Sequence, residues 1–335
     1  MKLTHLLVFP AVCVFATAFV APGGALGFHV ETKSKLAKTY KSKLVVDCDE
    51  FSMSVDGNEM PMGDHAPKIH VEEEEAYQVT DTYLAVGDGR ATKLERTYDA
   101  LGTSSVERMT PPAVSGGEER EKKKTKSCAL EGKTVVFTWN DKDDEYAAAW
   151  KEGEKGADEL LEHLAGDFDL VGFLPGKTVA EGDTWELEPQ LFNAILLPAG
   201  VLALKTEGDD ENSDSESLDA DLQFAKSRAG KATATYKGTR EDGGVQLAVI
   251  ELEAKLTASA NVERGEGVSE VSTGAELTGE LTWDVEHGHF HSVELSGTTK
   301  MNIDHKRTIE REGESHALVQ SLSFSGEVEL SFRAK

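Results

Sequence analysis

Three histidines at alternate positions, His287, His289 and His291, are the residues whose type and spacing point most directly to chemistry. On a β-strand, residues two apart project to one face, and neutral imidazoles on one face are good ligands for zinc or copper. His70, His305 or His316 would complete such a set. Glu286, His287 and Gly288 also read as a turn between two strands, which would leave only His289 and His291 aligned, in phase with Val293. Both readings stand at this point, a zinc or copper site and a hairpin end. No carboxylate at ligand spacing selects the first.

Other chemical motifs are incomplete. The acidic runs 141–145 and 209–211 offer oxygen ligands, but neither has the glycine and terminal glutamate of an EF-hand loop. Ser315 follows Gly313 by two, yet Ala317 stands where a nucleophile elbow needs glycine. There is no Gly-rich phosphate loop and no His-Glu-x-x-His pair. The chain is therefore expected not to be an enzyme and to need no cofactor. Arg90, Arg96 and Arg240 lie near turns, where surface placement is the default and anion binding the alternative. Cys48 and Cys128 fit no metal or redox spacing; a disulfide and two free buried thiols are both open.

The 335 residues carry a net charge of −26, from 61 acidic and 35 basic side chains. Such an excess repels phosphate backbones and anionic lipid surfaces, so nucleic acid is not an expected partner. Met1 and Lys2 precede an apolar run, Leu6 to Val20, broken by Pro10. It is short for a membrane span and right for an export signal. Residues 1–27 are read as that signal, with cleavage between Ala18 and Gly27. Val12 stands before Cys13 where a lipobox needs a small residue, so lipidation is not expected. No later run approaches membrane length. The mature chain is expected to be periplasmic or extracellular, without stable membrane insertion.

The elements that would position these residues are mainly strands. Ala275, Leu277, Gly279, Leu281 and Trp283 alternate with polar residues, and so do Val293, Leu295, Met301 and Ile303, and Leu318, Leu322, Phe324, Val328, Leu330 and Phe332. Sustained period-2 alternation predicts antiparallel strands with one buried face. At Val249 and Ile250 the phase slips, which predicts a bulge. Two short helices are predicted, over 157–164 and 189–196, the second opening on Pro189. Segments 102–126 and 206–221 are polar and read as mobile loops. The predicted fold is mainly β: a long curved antiparallel sheet, half-barrel or barrel, with about two short helices on its concave face. Residues 28–335 would form one domain, with two similar halves (28–170 and 171–335) as the alternative division.

The segment 173–187 joins the two predicted helices. Pro175 and Gly176 make one turn, Gly182 and Asp183 a second, and Trp185 follows. Trp185 and Trp283 are either core plugs or ligand-stacking surfaces. Leu174, Pro175 and Gly176, then Glu181, Gly182, Asp183, Thr184 and Trp185, and later the hairpin from Trp283 to Gly297, resemble a group of exported bacterial proteins of unknown function. In plan the chain is also similar to the lipoprotein-carrier half-barrels. That resemblance implies a curved sheet holding helices and an apolar ligand or lipid; an envelope protein is the other partner considered. It carries over no functional residue.

Overall fold

The computed structural model describes residues 26–63, 66–112, 117–206, 211–264, 267–311 and 314–335, with the side chains of 211–217 and 264 left aside. Most of the predicted signal segment lies outside these residues.

The alternation seen in the sequence becomes one antiparallel sheet of fourteen strands. In chain order they are β1 (Lys35–Val55), β2 (Asn58–Met60), β3 (Lys68–Gly87), β4 (Arg90–Thr110), β5 (Arg120–Cys128), β6 (Thr134–Asn140) and β7 (Glu145–Trp150). Then come β8 (Thr184–Leu187), β9 (Leu204–Thr206), β10 (Ala229–Asp242), β11 (Val245–Arg264), β12 (Gly267–Asp284), β13 (His289–Arg311) and β14 (Glu314–Ala334). The helices are α1 (Asn193–Leu196) and α2 (Glu211–Ser227). The main path runs β7-β6-β4-β3-β1-β14-β13-β12-β11-β10-β8. The first and last long strands thus meet at the middle: the chain winds outward from β1, crosses over, and winds inward to β14. The sheet does not close into a barrel, which removes the barrel alternative; β7 and β8 stay at its two ends.

Four strands reach 21 to 23 residues, against a usual ~5–6. Strands this long must let their neighbours approach as the sheet twists, and glycines mark where they do. Gly279, Gly297 and Gly326 fall on β12, β13 and β14, each in the core-facing phase and each two residues further along the register than the last. A Cβ at Gly297 would collide with the Glu276 carbonyl oxygen, and one at Gly326 with that of Val45. Together they form a diagonal line of close backbone contact across three strands.

Several expectations need correction. Residues 157–164 form only a 3-10 turn at Asp158–Leu160, because so short an apolar pattern cannot meet the cost of helix nucleation by itself. Residues 189–196 do form a 3-10 turn, Pro189–Phe192, running into α1. The supposed loop 102–126 contains the end of β4 and most of β5 (113–116 lie outside the described residues). β5 has no apolar alternation because its backbone pairs with β4 and its charges pair across strands, as in Arg108 Nε to Glu121 Oε2 at 3.0 Å. The supposed loop 206–221 is largely α2. Its acidic first half hid it, but Leu218, Leu222 and Ala225 sit at helical spacing in the second. The phase slip at Val249 lies on the partner strand: β11 runs in register with β12, while β10 shifts between Tyr236 and Thr239. Leu247, Ala248, Val249 and Ile250 are all buried, so that stretch is covered on both faces.

Gly297→Ala is expected to destabilise the fold by about 2–3 kcal/mol, through the forced shift of β12. Gly274→Ala, whose Cβ would lie 3.8 Å from the Leu256 carbonyl oxygen, should be close to neutral. Urea unfolding of the two variants measures the difference.

Candidate functional site

The core-facing side of the sheet is plugged at one end by residues 164–202. Phe168, Leu170, Phe173, Phe192, Ile195 and Ala199 enter the core from this segment. Phe332 of β14 stacks against both Phe168 and Phe290, ring centroids 4.5 Å apart in each case.

A buried ionic network fastens the plug to the sheet. Lys38 on β1, Asp81 and Tyr83 on β3 and Arg96 on β4 all lie in the core-facing phase. Arg96 grips Asp81 through Nε at 2.7 Å and Nη2 at 2.8 Å. Lys38 Nζ donates to Asp81 Oδ2 at 2.8 Å and to Asp169 Oδ1, on the plug, at 2.7 Å. Tyr83 donates its hydroxyl to the same Asp169 oxygen at 2.5 Å. Arg96 also donates to the carbonyls of Ala165 and Gly166, and Lys38 to that of Phe168. The charges of the two cations and two carboxylates cancel. Burial alone would raise the Asp81 carboxyl, but Arg96 and Lys38 outweigh it and hold it at about 2. All four charged side chains are sealed from water, so the network clamps and offers no open chemistry.

Sequence reasoning placed Arg96 at the surface; it is fully buried. A signal was available. Lys38 lies in phase between Leu36 and Tyr40, Asp81 between Val79 and Tyr83, Arg96 between Leu94 and Tyr98. Complementary charges in the apolar phase of several strands mark a buried ion cluster.

The residues singled out from the sequence do not converge. Trp185 is half-buried on β8 at the sheet end and donates its Nε1 to the Phe173 carbonyl at 3.1 Å. Trp283 is fully buried, its indole N–H without a partner among the described residues. Residues 173–187, within the plug, behave as a connector, with Gly176 and Gly182 at positive φ and Val179 buried. His287 lies in the β12–β13 turn, bound to Asp284 Oδ2 at 2.8 Å, which raises its pKa. The His289 ring is 6.2 Å from that of His287 and contacts the Phe290 carbonyl; burial lowers its pKa. His291 falls where the β12–β13 register shifts. Among the described residues, no group of three or more His, Cys, Asp or Glu is placed to hold a metal ion. Cys48 and Cys128 are both free thiols, Cys48 on β1 and Cys128 at the end of β5. Arg90 stacks on Trp139, 3.9 Å from the ring centroid, and Arg240 pairs with Glu280 at 2.9 Å.

Beyond the plug the same face changes character. Glu75 and Asp221, on β3 and α2, line a cavity of about 30 Å³ whose other walls include Leu196, Pro198, Val201 and Leu204. Burial, with the negative Glu73 and Asp221 nearby, pushes Glu75 up to about 7. Burial likewise pushes Asp221 up to about 6, against the pull of Lys126. Further along, Phe51, Leu322, Ile303, Val271 and Ala260 stand opposite one another across five strands. The next row toward the plug holds Phe324, Met301 and Ala258. Phe51, Leu322, Ile303, Val271 and Met301 all stay partly exposed. Helix α2 packs on β11 and β9. It caps the β11 edge where β10 stops: Gln223 bonds both backbone groups of Asn261, and Ser227 both of Ser259.

Arg96→Ala should cost about 3–5 kcal/mol, since it strands Asp81 without its main partner, while Arg333→Ala, which breaks an exposed pair with Glu294, should cost under about 1 kcal/mol. Unfolding midpoints separate the two. The Glu75 carboxyl has a folded pKa above its ordinary 4.5, so the folded state holds its proton longer and ionisation works against folding. Stability is therefore expected to fall as pH rises from about 5 to about 8, and Glu75→Gln to remove on the order of 1–2 kcal/mol of that fall. An unchanged pH profile in the variant would contradict the assignment. No family model matches this chain, and no curated protein is significantly similar to it.

Proposed function

We propose that this is an exported, non-catalytic binding protein whose sheet forms a half-barrel trough. The plugged end gives the trough rigidity, and the end beyond the plug holds an apolar chain such as a lipid acyl tail. One observation carries the proposal: the transverse row Phe51, Leu322, Ile303 and Val271 keeps large apolar side chains partly exposed on the core-facing phase. Large apolar side chains left partly exposed together on one face are a common mark of a binding surface. A non-catalytic role is supported by the state of the ionisable groups, since the best-organised cluster is neutralised and closed to water. Export, to the periplasm or outside the cell, is supported by the N-terminal residues.

The test uses a neutral fluorescent probe, N-phenyl-1-naphthylamine, together with native mass spectrometry of the protein purified from the exported fraction. Ile303→Asp and Leu322→Asp should each weaken probe binding at least tenfold and remove co-purified lipid. Ser272→Asp, on the exposed opposite phase, should leave both unchanged. Equal probe binding by all the variants would sink the proposal. Loss of an envelope protein from pull-downs, with no lipid in the wild type, would shift it to a protein partner.

A further inference from the structure

Among the described residues, Arg228 is a buried cation with no acidic partner. Its side chain is buried, with 9% of the residue exposed, yet it forms no ion pair with any described acidic residue. The chain carries 61 acidic side chains, and the other buried arginine, Arg96, is gripped by a carboxylate and two carbonyls. Arg228 has one side-chain partner, the Asn193 amide oxygen, which its Nε reaches at 2.5 Å. Both terminal nitrogens of the guanidinium are without a partner among the described residues. Burial with nothing to offset it pulls its pKa down to about 10.

The surroundings hold this side chain in place. Gln190 donates to the Arg228 carbonyl at 2.9 Å, and Asn193 donates to the Ala225 carbonyl at 2.9 Å. The Asn193 oxygen is thereby oriented toward the guanidinium, which leaves the outer edge of the fork free. The carbonyls at the end of α2 offer part of a reason for a cation here. They do not account for an arginine whose terminal nitrogens reach solvent and meet no oxygen of a described residue. A guanidinium presents parallel N–H groups that match a carboxylate or a phosphate, and a partly closed site strengthens that match.

Its position connects it with the apolar row. Ala229 pairs with Thr257, which sets the Arg228 backbone next to that of the buried Ala258, while its guanidinium reaches Asn193 of α1. The Ala258 row continues through Thr273 and Met301 to Phe324, one row from Phe51, Leu322 and Ile303. A cation at one end of an apolar surface matches a ligand with an anionic head and an apolar tail.

We infer that the trough takes an anionic amphiphile, its carboxylate or phosphate head bound by Arg228 and its chain laid across the two adjacent rows from Met301 to Phe51. This rests on the trough proposed above and adds the class of ligand. The experiment compares oleate, lysophosphatidate and the uncharged oleyl alcohol on the full exported protein, with wild type, Arg228→Gln, Arg228→Lys and Ile303→Asp. Wild type should bind at least one of the anionic ligands tenfold or more tighter than the alcohol. Whether oleate or lysophosphatidate binds tighter then names the head. Arg228→Gln should lose that preference and keep its affinity for the alcohol, Arg228→Lys should retain part of it, and Ile303→Asp should weaken all three. If Arg228→Gln does not fold, the Arg228→Lys result and the wild-type preference still decide. Wild type that binds alcohol and anions equally overturns the anionic head and leaves the trough standing. Wild type that binds none of the three overturns the trough, and this inference with it. Saturable binding of inorganic phosphate at the same affinity as lysophosphatidate would make Arg228 a simple anion site and overturn the role of the chain.

Discussion

The structure depends on four charges taken out of water together. Lys38, Asp81, Arg96 and Asp169 come from three strands and one irregular segment, and none could be buried alone. An isolated ion in a protein interior costs several kcal/mol. Two cations and two carboxylates in mutual contact remove most of that penalty. The remaining cost sets a condition on geometry: the network is tolerable only when β1, β3, β4 and the Phe168–Asp169 turn all stand in one arrangement. It therefore specifies where the plug sits more than it adds net stability. An apolar cluster of the same volume would pack the plug with less directional preference.

Two further constraints shape what the clamp leaves over. The long strands approach one another closely along the line Gly279, Gly297 and Gly326, which side chains there would prevent. The exposed edge of β11 past Thr257 would be a template for pairing with another chain. Helix α2 covers it with side chains at helical spacing, Gln223 and Ser227, that bond Asn261 and Ser259 at strand spacing. The helix rise over four residues, about 6 Å, nearly matches two residues of strand. That coincidence lets a helix stand in for a strand. With the edge covered and one end plugged, the core-facing side beyond the plug keeps apolar side chains partly exposed, and Arg228, without an acidic partner among the described residues, stands near their border.

Acidity runs through the same picture. Most of the excess negative charge is solvated and costs little. Glu75 and Asp221 are different, because they share a small cavity with apolar walls and with Glu73 close by. Their protons are held more tightly than in water. The plug-side end of the apolar surface is thus less charged in mildly acid surroundings than composition alone implies.

The sequence by itself determined the mainly β class, the antiparallel strands of the C-terminal third, and the short helical segment over 189–196. These follow from local periodicity, and period-2 burial is a property each strand shows on its own. It did not determine β5, whose residues lack apolar alternation and are held by backbone pairing, or α2, whose apolar positions are confined to its second half and which is held by side-chain bonds to a distant strand. Nor did it determine that the sheet stays open, or that the histidines spaced for a shared face stand apart at a turn and a register shift. The partners of Lys38, Asp81 and Arg96 were decided only by tertiary structure. Their in-phase positions were visible, but which opposite charge each would meet depends on strand order and on the seating of the plug, which brings together residues 131 positions apart. The same holds for Arg228: its partner among the described residues is the Asn193 amide rather than a carboxylate, and only the packing of α1 against the end of α2 decides that.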